Sequence, residues 1–227
     1  MNRAGVTSAA PSSPRIRVAA AALATAGVLF VLYPAIRPFS DETTLAGAAA
    51  FASTDWLVAH VLAMFGFNLT ALGTGGLWLA LRETRAERAA LRAALATAVG
   101  VGLTLPFYGG EAFGLHAIGT AALREQSTTI LAISADVRGG VGLVVFLVGL
   151  TILGLGAIGS AVAIWLSGIL AKWSGVPFAV GFALYIPQFF WAQPLRVAHG
   201  VLVALGLIWI ARELWRATSV EARDETR

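Results

Sequence analysis

The sequence predicts an all-α membrane protein: a six-transmembrane-helix bundle with both termini in the cytoplasm and two short interfacial segments on the outer side. Three observations carry that expectation. Only 12% of the residues are charged and 58% are hydrophobic, whereas an ordinary soluble domain has about 25% charged residues. The apolar residues gather into six long runs separated by short connectors. Lysine and arginine, summed over alternate connectors and the two tails, divide twelve to four between the two sides. The chain has no cysteine, which excludes disulfides, thiolate metal sites and cysteine nucleophiles and leaves the redox compartment undetermined.

Residues 1–14 are small, polar and proline-punctuated and read as a disordered tail. The first span covers 16–36. Its apolar run is longer than the roughly 7–15 residues of a signal-peptide core, and Arg37-Pro38 follows it directly, so it reads as a retained helix. The alternative is cleavage near Ala48-Ala49-Ala50. Residues 43–53 are too few to cross a bilayer and read as a short interfacial segment. The second span covers 55–81, capped by Thr54 or Asp55. A charged connector with Arg82, Arg85, Arg88 and Arg92 precedes the third span, 93–123. At 1.5 Å per residue that span is about 46 Å long. It exceeds a hydrocarbon core of about 30 Å, so it must tilt, bend at Pro106 or project.

Residues 127–136 form the second interfacial segment. The fourth span, 139–166, is glycine-rich and uncharged, and Gly156 with Ser160 forms a small-xxx-small pair suited to close helix packing. Pro177 opens the fifth span, 177–193, which contains Pro187, and Pro194 opens the sixth, 195–215. The domain therefore covers 15–217, and 218–227 is a charged cytoplasmic tail.

Orientation follows from the basic residues. With the amino terminus inside, the cytoplasmic side holds Arg3, Arg15, Arg17, Arg82, Arg85, Arg88, Arg92, Lys172, Arg212, Arg216, Arg223 and Arg227. The outer side holds Arg37, Arg124, Arg138 and Arg196. The net charge of +4 is thus a topology signal and does not point to nucleic acid. The localisation this implies is the plasma (inner) membrane of a prokaryote. The lipid bilayer is the expected partner, and a homo-oligomer or a partner membrane subunit stays open.

Ionisable groups at membrane depth cost roughly 2.5–3.5 kcal/mol on insertion scales, so each marks a candidate site. The stretch 105–116 gathers Pro106, Tyr108, Gly109, Gly110, Glu111 and His116 within the third span. His60 sits just inside the second span and His199 just inside the sixth. All three histidines therefore fall in the outer half, with Tyr108, Gln188 and Arg196 at similar depth. Glu111 is the candidate catalytic group, and His60, His116 and His199 are the candidate metal ligands. Tyr108, Gln188 and Arg196 are candidate cofactor-binding groups lining the same cavity. Glu111 and His116 are five apart, about 140° around an ideal helix, so they converge only if the helix is distorted, for instance by Pro106 or Gly109-Gly110.

Three chemistries fit these groups. Three imidazoles with an open position suit zinc or copper, in redox or hydrolytic use. Two facing histidines, His60 and His199, suit b-type haem. Glu111 with histidine suits a proton-coupled small-solute transporter. A non-catalytic scaffold or assembly subunit is the remaining reading. Signatures of soluble enzymes are missing: there is no Walker loop and no Gly-x-Ser-x-Gly elbow.

Overall fold

The computed structural model describes residues 13–224, and every regular element among them is helical. The tail expected to be disordered lies almost wholly outside the described residues. Among the described residues five helices are long and apolar enough to cross a membrane: Pro14–Ile36, Thr54–Leu81, Glu87–Glu125, Gly140–Ser167 and Gln193–Thr218. The first, second, fourth and last belong to α1 (Ser13–Ile36), α3 (Thr54–Leu81), α7 (Gly140–Ser167) and α9 (Gln193–Asp224). The third joins α4 (Glu87–Gly109) to α5 (Leu115–Glu125) through a wide helical turn, Gly110–Gly114.

Short helices complete the chain. They are α2 (Leu45–Phe51), a 3₁₀ turn Thr128–Ala132, α6 (Ile133–Arg138), α8 (Val176–Ala183) and a 3₁₀ turn Pro187–Phe190. Residues 43–53 hold α2, and residues 127–136 hold the first 3₁₀ turn and the start of α6. The cap of α3 is Ser53, one residue before the pair expected. Its hydroxyl accepts from the Trp56 amide at 3.1 Å, which satisfies one of the orphan donors of the first turn.

The long helices close into a ring through the short α8. α1 packs on α3 and α9, α9 on α8, α8 on α7, α7 on α4, and α4 on α3. The ring has two ends. Arg85 donates to the Leu166 carbonyl at 2.7 Å and Arg17 to Thr218 at 3.3 Å, which fixes the lower end. Gln193 donates to the Pro34 carbonyl at the upper end. Side chains such as Val18, Phe65, Leu72, Leu95 and Leu155 point outward and are exposed, as expected of helices solvated by lipid. Inside lies a layer of edge-packed rings: Phe30 meets Phe67 at 5.1 Å and Phe67 meets Tyr108 at 5.1 Å. A second, smaller core at the upper end joins Ala48, Phe51, Trp56, Leu115, Ala122 and Leu131.

The fifth span is not among the five long apolar helices. α8 stops at Ala183, and the chain resumes only as the 3₁₀ turn before an extended Trp191. Pro187 supplies the reason: it has no amide for the Ala183 carbonyl, and its ring clashes with that carbonyl in a continuing helix. As one helix, residues 177–193 would reach about 25 Å.

Pro106, by contrast, stays inside α4 without ending it. The irregularity falls just after it, where the Leu115 amide reaches back five residues to the Gly110 carbonyl. Such wide turns are rare and gather at functional sites.

The α4–α7 seam depends on glycine. A Cβ on Gly100 would lie 2.5 Å from the Leu153 nitrogen, and one on Gly156 would lie 2.5 Å from the Thr97 hydroxyl. The Ser160 hydroxyl turns back to the Gly156 carbonyl at 2.9 Å, so the small-xxx-small pair serves close approach. Gly100→Ala is expected to destabilise the bundle by about 1–3 kcal/mol through overpacking. Gly102→Ala, with nothing within 4 Å, should leave stability unchanged or raise it. Thermal unfolding of both variants in detergent, followed by far-ultraviolet circular dichroism, checks the contrast.

Candidate functional site

The wide turn presents Glu111 to a chain of charges at the upper end. Arg138, the last residue of α6, donates from Nε to Glu111 Oε1 at 2.5 Å and from Nη2 to Glu111 Oε2 at 3.0 Å. Its Nη1 donates to Glu42 Oε2 at 2.5 Å. Arg37 donates to the other oxygen of Glu42 at 3.1 Å. On the far side, His60 Nε2 lies 3.7 Å from Glu111 Oε2. The order is therefore Arg37, Glu42, Arg138, Glu111, His60, contributed by four separate parts of the chain. Two-point contact between a guanidinium and a carboxylate is the strongest form of this pairing.

The surroundings hold these groups in place. The His60 ring donates from Nδ1 to the Trp56 carbonyl at 2.7 Å, which turns Nε2 toward Glu111. The Trp56 indole N–H donates to the Glu111 carbonyl at 2.7 Å. The Arg37 guanidinium lies over the rings of Trp56 and Phe39, at 4.4 and 4.7 Å, and Arg138 lies over Phe51 at 5.4 Å. Such contacts are worth about 0.5–2 kcal/mol. Burial disfavours the charge of Glu42, but the hydrogen bonds and charges of Arg138 and Arg37 outweigh it and hold its carboxyl below the ordinary range. Burial likewise works against the Arg138 cation, and Glu111 with Glu42 more than reverses that and raises its pKa.

Beside this cluster opens a cavity of about 630 Å³. Arg37, Glu42, Glu111, Arg138, Arg196 and Tyr108 line its polar side, and Phe107, Leu143, Phe146, Leu147, Ile186, Phe189 and Phe190 line its apolar side. The volume falls within the range of small-molecule sites, about 300–1,000 Å³. Arg196 is positioned by backbone: Nε donates to the Trp191 carbonyl at 2.9 Å and Nη2 to the Phe189 carbonyl at 2.5 Å. Below the cavity, Tyr108 and Tyr185 share a hydrogen bond at 3.2 Å. Further down, Thr70, Thr97, Thr104 and Ser160 each bond a carbonyl of their own helix.

Of the residues singled out from sequence, Tyr108, Glu111 and Arg196 line the cavity together. Gln188 is buried and borders a separate small void with His199 and Tyr185. The three histidines do not meet. His60 faces Glu111, His116 donates to the Phe51 carbonyl at 3.0 Å, and His199 donates to the Gly181 carbonyl at 2.7 Å. The last two pin α5 to α2 and α9 to α8. Among the described residues no group of three or more histidine, aspartate or glutamate side chains is arranged to hold a metal ion. The shared zinc or copper site expected from sequence is therefore not supported, and Tyr108 and Tyr185 stand between His60 and His199. The distortion expected in the third span is present, yet it turns Glu111 toward Arg138 while His116 points to α2.

Sequence reasoning missed Arg37, Glu42 and Arg138 as site residues. A signal was present: Arg37, Arg138 and Arg196 are three of the four basic residues on the sparsely charged side. A comparison with protein-family models, with curated proteins and with solved structures returns no match to the chain.

A carboxyl with a depressed folded pKa stabilises the fold above its unfolded value and loses that contribution as pH falls. The unfolding midpoint is therefore expected to drop as pH falls below the ordinary glutamate value of 4.5, and Glu42→Gln should flatten that part of the profile. Arg138→Gln leaves two half-buried carboxylates without their main donor and should destabilise by about 1–3 kcal/mol at neutral pH. Thermal unfolding across a pH series checks both.

Proposed function

We propose that this is a six-pass plasma-membrane protein that binds a small organic ligand, without metal or haem, in a cavity open to the outer side. The observation that carries the reading is the cavity itself. About 630 Å³ of space, lined by five charged side chains and a larger set of apolar ones, sits at the upper end of a bundle whose lower end holds Arg17, Arg82 and Arg85. A mostly apolar pocket with a few convergent polar groups is the usual form of a ligand site. The basic lower end supports a cytoplasmic assignment for both termini. The broken segment between α7 and α9 then serves as the fifth of six passes, and α2 and α6 lie at the outer interface.

The role of Glu111 follows from its partners. Both of its oxygens accept from Arg138, which suits a fixed anion that positions arginine better than a general base. The apolar core below the tyrosines favours recognition at one face over passage through the bundle: Leu23, Leu77, Leu153, Phe178 and Leu207 fill it.

The cysteine-free chain makes the test direct. Ser40→Cys, at the cavity, is expected to react with a membrane-impermeant maleimide in intact cells. Arg88→Cys, exposed in the first turn of α4, should react only after permeabilisation. The reverse pattern would overturn the orientation. A Soret band, or stoichiometric zinc or copper in the purified protein, would overturn the metal-free reading.

A further inference from the structure

We infer that the occupant of the outer cavity is a membrane amphiphile with a single anionic head group, its head at Arg196 and its tail along the α7 wall. The inference rests on the ligand-binding reading above and names the substrate class. Charge comes first. The cavity holds three guanidiniums, Arg37, Arg138 and Arg196, against two carboxylates, Glu42 and Glu111, which leaves one positive charge in surplus. Arg37 and Arg138 spend their charge on the carboxylates. The bonds of Arg196 go to carbonyl oxygens, and no carboxylate forms an ion pair with it among the described residues. It is a cation fixed in direction and not neutralised, the property an anion site requires.

The rest of the lining fits hydrocarbon. Phe107 and Phe146 stack face to face at 4.0 Å and 12°, and Leu143 and Leu147 continue that wall along α7. Phe190, also in the lining, is 87% exposed, and Leu143 and Leu147 are exposed as well. The apolar lining thus runs out to the surface of α7 and of the 3₁₀ turn Pro187–Phe190. A free inorganic anion would leave this wall without a partner. A fully apolar molecule would leave Arg196 uncompensated beside it, which low-polarity surroundings penalise. One anionic head with one alkyl chain satisfies both walls.

The test uses the purified protein in dodecyl maltoside with Leu147→Cys as reporter, and three probes: dodecyl phosphate, inorganic phosphate and dodecyltrimethylammonium. Dodecyl phosphate is expected to slow maleimide labelling of Leu147→Cys, while the other two leave it unchanged. Arg196→Gln should raise the half-protecting concentration by about tenfold, the scale of one charge-assisted contact. Arg196→Lys should recover part of the loss, and Arg124→Gln, outside the cavity, should have no effect. Equal protection by inorganic phosphate would make the site one for free anions. Equal protection by the cationic amphiphile, or an Arg196→Gln variant that still unfolds cooperatively and is protected as before, would also overturn the inference. If Ser40→Cys labels from outside while dodecyl phosphate gives no protection, this inference alone fails. If Ser40→Cys does not label from outside, the broader reading fails first.

Discussion

The upper end of the bundle depends on one guanidinium. Arg138 bonds Glu111 on the wide turn of the third long helix and Glu42 on the connector after the first, while Glu111 in turn faces His60 on α3. Partial burial disfavours the charges of Glu42 and Arg138, as it does any buried charge without a partner. Each is tolerated because the next compensates it. The consequence is geometric: the two connectors, the wide turn and α3 must assemble together, and the cavity is the space left beside their meeting point.

Much of the fold is legible in the sequence because lipid imposes a simple rule. Every span must be long and apolar enough, and every backbone group must be satisfied within it. Hence the first, second, fourth and sixth runs appear where composition puts them. The fifth is the exception, and Pro187 is why: a hydropathy count does not register the missing amide that stops α8. The seam at Gly156 and Ser160 was also readable, since only small residues let two helices approach so closely.

The site was legible only in part. Glu111, Tyr108 and Arg196 stand out as polar groups in apolar runs. Arg37, Glu42 and Arg138 sit in connectors, where charge is ordinary, and Arg138 lies 27 and 96 residues from its two carboxylates. No periodicity links positions so distant. The histidines misled for a related reason. Equal depth along three helices says nothing about which way each ring turns, and rotation about the helix axis decides whether rings converge. His116 and His199 turn to carbonyls of neighbouring helices and act as fasteners between elements.

The irregular backbone and the charged side chains explain each other. Where a helix is continuous, its carbonyls are occupied by its own amides. At the wide turn the Glu111 carbonyl is left to accept the Trp56 indole, and past Pro187 the carbonyls of Phe189 and Trp191 are left to accept from Arg196. In a bilayer such openings are tolerated only where protein groups or a cavity satisfy them. The two breaks in helical structure both border the cavity, and protein side chains, the Trp56 indole and the Arg196 guanidinium, satisfy the carbonyls they free. Arg196 is held there by the carbonyls that the broken fifth segment releases. A continuous fifth helix would withdraw those acceptors, and with them the means of fixing an unneutralised cation beside an apolar wall.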